Sequence, residues 1–387
     1  VKILVNAQPM TGLLTGIARY LRNMYAVMAE MDQTELTFFT GKAPVTEIPP
    51  LADTEKWQKT TRTVWKLPDP VVFSLRSLYW LSYERRLKKI CRGNRFDLYH
   101  ETAFFPAAQT RVPTVYSIYD LSLRRFKETH PRERVWYFEF FIKRRLQYAA
   151  HILTISEFIR REIIEEFGFP PEKVSTVPLA PDPIFGPRAA EEVTAVQKTL
   201  GLPQDYLLFV SSLEPRKNIG ILIKALQAVK TDIPVVMVGW QAWGEKKWLE
   251  KIRISGLRNR IYMTGHISDS ELVAVYNGAS ALVYPSIYEG FGLPILEAMA
   301  CNCPVICSRV ASMPEAAGEA ALLIDPHDRD ELAAAIEALV FKKNTREDCI
   351  RLGRQRVKNF SWGKTARKTY AVFQKVVKQN DLCCRPE

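Results

Sequence analysis

At 387 residues, with 47% apolar and 25% charged side chains, the chain has the composition of a folded globular protein and is too long for one ordinary core. No run approaches the ~18 apolar residues of a membrane-spanning helix, which argues against a helical membrane span. The formal net charge is +12 and unevenly spread, which directs attention to anionic partners.

In chain order, VKILVNA (1–7) reads as a first buried strand. Its apolar stretch is too short for the core of a secretory signal, so a cytosolic protein is expected. A helical pattern follows near Thr15–Met31, and ELTFF, DLYH, TVYSIYD, HILTIS and KVSTVP read as further strands with amphipathic helices between them. In SEFIRREIIEEFG, Ser156 suits an N-cap and Gly168 a C-terminal stop. Strands alternating with helices predict parallel βαβ units.

Residues 55–95 hold eleven Lys/Arg against three acids, a net of +8, together with Trp57, Trp65, Phe73, Tyr79, Trp80 and Tyr83. Cations interleaved with aromatics suit an anionic membrane surface. They would also suit single-stranded nucleic acid, which is not the expected partner. The plain alternative is a helix with one apolar core face and one solvated basic face.

PLAPDPIFGPR (178–188) carries Pro178, Pro181, Pro183 and Pro187 and reads as an interdomain linker. The alternation then restarts with YLLFVSS, PVVMVG, IYMTG, ALVYPS, PVICS and ALLID as strands. FSWGKTARKTYAVFQKVVK (360–378) is a last amphipathic helix. Two doubly wound domains are therefore expected, with the cleft between them as the default ligand site. The seven cysteines are odd in number and irregularly spaced, which argues for reduced thiols. Cys301 and Cys303 lack the second pair or nearby histidine that zinc needs, so these two and Cys307 read as small buried hydrophobes.

Two stretches carry candidate chemistry. In SSLEPRKNIGILIKAL (211–226), Arg216 and Lys217 fall between a strand end and a helix start, where free N–H groups and the helix dipole already favour anions. A surface Arg–Lys pair in a turn is the competing reading. In SIYEGFGLPILEAMA (286–300), Glu289 and Glu297 flank Gly290, Gly292 and Pro294. Glycines let the backbone approach a ligand, and the helix that follows is expected to hold Glu297 in its first turn. Two carboxylates there are acceptors suited to sugar hydroxyls. An N-cap role for Glu289 and a dipole role for Glu297 explain one acid each, but not both beside GFG.

EGFGLPILE resembles the E-x7-E motif of retaining glycosyltransferase family 4, and EPRKN, GHISDSELVAVYNGASALVYPS, PVICS, MPEAAGEAALLIDP and FSW follow that family's order and spacing. In the first half the resemblance runs through TGIARY, DLYHE and HILTISEFIRREI. It implies an α/β GT-B fold, two doubly wound Rossmann-like domains facing a central cleft. Residues 1–180, with a crossing helix over 363–380, would form the acceptor-side domain. Residues 181–362 would form the donor-binding one. It implies transfer of a hexose with retention from a nucleotide-diphosphate sugar, without a cofactor or catalytic metal. GDP-mannose is the favoured donor, with UDP and dTDP donors left open by the residues; the basic aromatic window favours a glycan or polyprenyl-linked glycan acceptor at the inner face of a membrane.

By the same resemblance Arg216 and Lys217 hold the diphosphate, Glu297 the ribose and Glu289 the donor-sugar hydroxyls. Backbone N–H groups of Gly290, Phe291, Gly292 and Leu293 approach the sugar or phosphate. Gly265, His266 and Ile267 pack the nucleobase, and Gly16 lies near the phosphates. His100 matches a family histidine near the reacting sugar. Asp120 orients the acceptor or caps a turn. The aspartates of DPHDRD (325–330) read as helix caps rather than metal ligands. Tyr119 stands where many members have histidine, and a neutral tyrosine cannot do that acid–base work near neutral pH. Asn302 replaces a frequent glycine and tolerates the left-handed backbone a turn would need. A GT-B epimerase would keep different acid–base residues, and a phosphorylase a pyridoxal lysine site not found here. A non-catalytic membrane- or nucleic-acid-binding protein is the reading from another class.

Overall fold

The computed structural model describes residues 1–12, 14–32, 34–52, 64, 67–103, 107, 111–212, 214–239, 250 and 252–383, the last three by backbone alone. Most of the first part of the basic window, Trp57 and Trp65 included, lies outside these residues. The chain forms two compact units, Val1–Leu179 with Ser361–Glu387, and Ala180–Phe360.

Unit 1 is built on six parallel strands in the order β2-β1-β3-β4-β5-β6. They are β1 (Lys2–Asn6), β2 (Glu35–Phe39), β3 (Leu98–Glu101), β4 (Thr114–Ile118), β5 (Ala149–Thr154) and β6 (Val174–Thr176). The central strands read as nearly unbroken apolar runs because helices cover both faces, and Ile3, Leu4 and Val5 are fully buried. The named helices here are α1 (Gly16–Ala29), α2 (Asp69–Gly93), α3 (Arg132–Leu146) and α4 (Glu157–Phe167). Ser156 caps α4 by accepting the Ile159 N–H at 3.2 Å, and Gly168 ends it at φ +63°. The final helix, Trp362–Cys383, packs within this unit. Its Trp362 meets Tyr20 of α1 at 6.1 Å, and Thr365 donates to the Pro178 carbonyl at 2.8 Å.

Unit 2 repeats the plan in the order β12-β11-β10-β7-β8-β9. Its strands are β7 (Leu207–Val210), β8 (Val235–Val238), β9 (Ile261–Gly265), β10 (Ala281–Tyr284), β11 (Val305–Ser308) and β12 (Ala321–Ile324). Among its helices are α5 (Ile219–Ala228), α6 (Asp269–Gly278), α7 (Leu293–Ala300) and α8 (Arg329–Phe341). Leu207, Phe209, Val235 and Val283 of the sheet pack with Ile219 and Leu222 of α5 and Ile336 of α8. Asn302 takes φ +59°, the left-handed turn expected of it. Cys301, Cys303 and Cys307 are buried free thiols.

In each unit the chain order reverses across one pair of strands, between β1 and β3 in unit 1 and between β7 and β10 in unit 2. Loops leaving the carboxyl ends of such a pair diverge and open a crevice. Backbone closeness fixes the edge of the unit 2 crevice. A Cβ on Gly239, which follows β8 at φ +146°, would stand 2.1 Å from the Ser211 carbonyl oxygen that follows β7. Gly239→Ala is therefore expected to unfold this edge, seen as a lowered melting temperature of unit 2.

Candidate active site

The loop after β7 enters a 3-10 turn, Pro215–Lys217, and Asn218 then adopts φ +58° to start α5. Asparagine tolerates this backbone, and its Nδ2 donates to the Pro326 carbonyl at 2.6 Å. The turn thus presents Arg216 and Lys217 at the β7 side of the crevice. The loop after β10 reaches Gly292, whose φ of +95° favours glycine, and α7 begins at Leu293. The Ile287 N–H donates to the Arg216 carbonyl at 2.8 Å, so the two loops are tied by backbone. Ser312 holds a third segment by donating to the Glu289 carbonyl at 2.7 Å.

Glu289 lies between the two cations. Lys217 Nζ donates to its Oε1 at 2.5 Å and Arg216 Nη1 to its Oε2 at 3.1 Å. Arg216 also donates through Nη1 to the Tyr288 carbonyl at 3.2 Å and through Nε to Glu214 at 2.8 Å. Lys217 Nζ lies 5.5 Å from the centre of the Tyr284 ring. Burial alone would raise the Glu289 carboxyl, but Lys217 and Arg216 outweigh it and bring it down to about 2. Burial lowers the Lys217 ammonium below its ordinary value, against the pull of Glu289. With Glu214 and Glu289 against Arg216 and Lys217 the cluster is formally neutral. It is an ion set in which Glu214, Glu289 and the Tyr288 carbonyl hold both cations in place.

Glu297 is the fifth residue of α7 and stands in its second turn, not its first, because the helix begins only after Gly292. That removes the dipole explanation. Its Oε2 accepts from Tyr276 of α6 at 3.0 Å, a partner that sequence spacing could not reveal. Phe291 turns its ring into the core against Phe360 at 5.9 Å, leaving only its backbone for a ligand. Gly265 ends β9 at φ +70°, His266 is exposed and Ile267 is buried. Asp328 accepts from Asp330 N and Glu331 N at the start of α8, the capping expected of DPHDRD.

In unit 1, Gly16 opens α1 after β1, with Thr15 accepting the Ala18 N–H at 3.3 Å. His100 corrects an expectation. It is fully buried mid-sheet, opposite Val5 and Val115. Nδ1 meets the Tyr25 hydroxyl, Nε2 the Ser117 hydroxyl at 2.8 Å, and Phe373 stands edge-on at 5.0 Å. Burial lowers its imidazole to about 3. Neutral and with both nitrogens occupied, it cannot reach a sugar. Asp120 accepts the Ser122 N–H at 2.8 Å, the turn-forming role weighed for it. Tyr119 is buried and donates to the Thr102 carbonyl at 2.9 Å.

Glu101, beside the unit 1 switch point, carries no local signal that singles it out in the sequence. This buried carboxylate accepts from Asn6 Nδ2 at 2.6 Å, Tyr99 OH at 2.8 Å, and the N–H groups of Ala103 and Ala107. Burial lifts it to about 7 against those donors. It pins the strand after which the unit 1 loop departs.

Residues 14–183 match the family model described as Glycosyltransferase Family 4, and residues 193–356 match Glycosyl transferases group 1. O-antigen chain mannosyltransferase B of Escherichia coli is 33% identical over 96% of this chain and 99% of its own. The chain belongs to glycosyltransferase family 4. MMP alpha-(1->4)-mannosyltransferase of Mycolicibacterium hassiacum is 28% identical over 83% of this chain and 79% of its own. The sucrose-phosphate synthase structure from Thermosynechococcus elongatus superposes with a TM-score of 0.73 at 18% identity, over 97% of this chain and 99% of that one. The fold is GT-B, and the protein is a glycosyltransferase.

Proposed function

We propose that this family 4 enzyme transfers mannose, with retention and without a catalytic metal, from GDP-mannose to a growing glycan on a polyprenyl carrier. The observation that carries the chemistry is the Arg216–Lys217–Glu289 cluster at the β7/β10 switch point. Breaking the anomeric C–O bond leaves an oxocarbenium-like sugar and a diphosphate. Fixed cations stabilise charge that grows on the leaving group. In this reading the diphosphate takes a share of Arg216 and Lys217, while Glu289 turns an oxygen to a sugar hydroxyl. Glu297 accepts from the ribose, the N–H groups of 290–293 meet the sugar or phosphate, and Gly265–Ile267 flank the base. Mannose is supported by the names of both relatives above. A polyprenyl-borne acceptor places the enzyme in the cytoplasm against the inner membrane face. Among the described residues no helix is long and apolar enough to cross a membrane.

The test is turnover with GDP-mannose, UDP-glucose and dTDP-rhamnose, followed by the anomeric configuration of the product. GDP-mannose should be consumed preferentially, and the product should keep the donor's configuration. An inverted product sinks the reading. Gly16 offers a cleaner probe, because among the described residues a Cβ there meets nothing within 4 Å beyond its chain neighbours and its own helix backbone. Gly16→Ala should leave the melting temperature unchanged or raise stability by about 0.4–1 kcal/mol. Turnover should nevertheless drop, since the new methyl group would crowd the donor phosphates. A stable variant with unaltered kcat/KM would place Gly16 away from the donor.

A further inference from the structure

Unit 1 carries an exposed face, apolar and cationic by turns, on two of its helices. On α2, Val71, Leu75, Leu78 and Leu81 are all exposed, Leu78 at 64%. Spacings of three and four place them along one side of the helix. The same side continues toward the C-terminal end as the exposed cations Arg85, Lys88, Lys89 and Arg92. The stripe is thus apolar in its first half and cationic in its second.

Helix α3 repeats the order. Trp136 and Phe140 are exposed, followed by exposed Lys143 and Arg144. The two helices lie side by side and run in the same direction. Arg76 pairs with Glu133 at 2.9 Å near their starts, and Glu84 pairs with Arg145 further along both. Phe73 meets Trp136 edge-on at 6.5 Å. The apolar stretches therefore adjoin, and so do the cationic ones. Arg144 also lies over the Phe140 ring at 4.4 Å, which joins the two zones.

We propose that this two-helix face of unit 1 docks on an anionic lipid bilayer, with its apolar zone at the acyl boundary and its cationic zone against the headgroups. An aliphatic stripe on solvent is costly unless something covers it. Nucleic acid offers phosphates to the cations but nothing to four aliphatic side chains. A bilayer surface offers both, in the same two-zone order. The inference builds on the proposed function for its setting, not for its chemistry, and extends the basic window onto a second helix.

Flotation with vesicles tests it without substrate. The wild-type chain should float with phosphatidylglycerol-containing vesicles, and added salt should release it. With Arg85→Gln, Lys88→Gln, Lys89→Gln and Arg92→Gln combined, affinity for anionic vesicles should fall on the order of 10²–10³-fold, from about fivefold per cation. The Leu75→Gln, Leu78→Gln, Phe140→Gln variant should also lose flotation. Both sets should still transfer sugar to a water-soluble acceptor, which shows that they fold. No flotation by the wild type, or flotation indifferent to both sets, overturns the proposal. So does an apolar variant that only converts a dimer to a monomer, or salt-sensitive retention on single-stranded DNA without vesicle binding. Intact flotation without any transfer would instead strike the proposed function and leave the docking standing.

Discussion

Replacing Lys217 by alanine should lower kcat by about 10²–10³, the scale for removing one preorganised charge-stabilising donor. The same change should destabilise unit 2 by about 1–3 kcal/mol, because the buried Glu289 carboxylate keeps only Arg216 as a charged partner. Glu289 is only 7% exposed and loses its 2.5 Å partner. The two effects can be separated. Combining Lys217→Met with Glu289→Gln removes the ion pair and leaves no bare charge. Denaturant midpoints should then recover much of the loss, while turnover stays low. If the double variant regained turnover along with stability, Lys217 would be a structural residue only.

The second large effect is the acid response of Glu289. Its carboxyl titrates near 2 in the folded protein, against 4.5 for an ordinary glutamate. A depressed carboxylate contributes stability that is complete above the unfolded value and lost as pH falls toward the folded one. The window is therefore between about pH 4.5 and 2, and its full depth is roughly 3 kcal/mol. The stability difference between wild type and Glu289→Gln should be flat above this window and shrink through it. A difference that instead changed between pH 5 and 8 would mean that Glu289 is not held ionised by the two cations. Turnover of Glu289→Gln at neutral pH should also fall, since the variant offers one acceptor oxygen in place of two.

The sequence made the second unit far more legible than the first. EPRKN and EGFGLPILE are local: a proline, an αL asparagine and a glycine at φ +95° fix their turns with little help from elsewhere. The strand order that brings them together follows from parallel βαβ winding. What needed three dimensions was every partner distant in sequence. Tyr276 reaches Glu297 across 21 positions, and the Trp136–Phe140 pair adjoins α2 only through tertiary packing. The burial of His100 is hidden from the sequence for the same reason. A histidine in a strand looks alike from the sequence whether its ring faces a ligand or, as here, Tyr25 and Ser117. Glu297 stands one turn later than the spacing predicts because the αL Gly292 delays the helix start.

The most direct test is calorimetric titration of GDP, UDP and dTDP into the wild type, Arg216→Ala and Lys217→Ala. GDP should bind the wild type more tightly than about a millimolar, ahead of UDP and dTDP, and both substitutions should abolish the signal. GDP binding that survived both substitutions undiminished, or no nucleotide binding in that range, would contradict the proposed function.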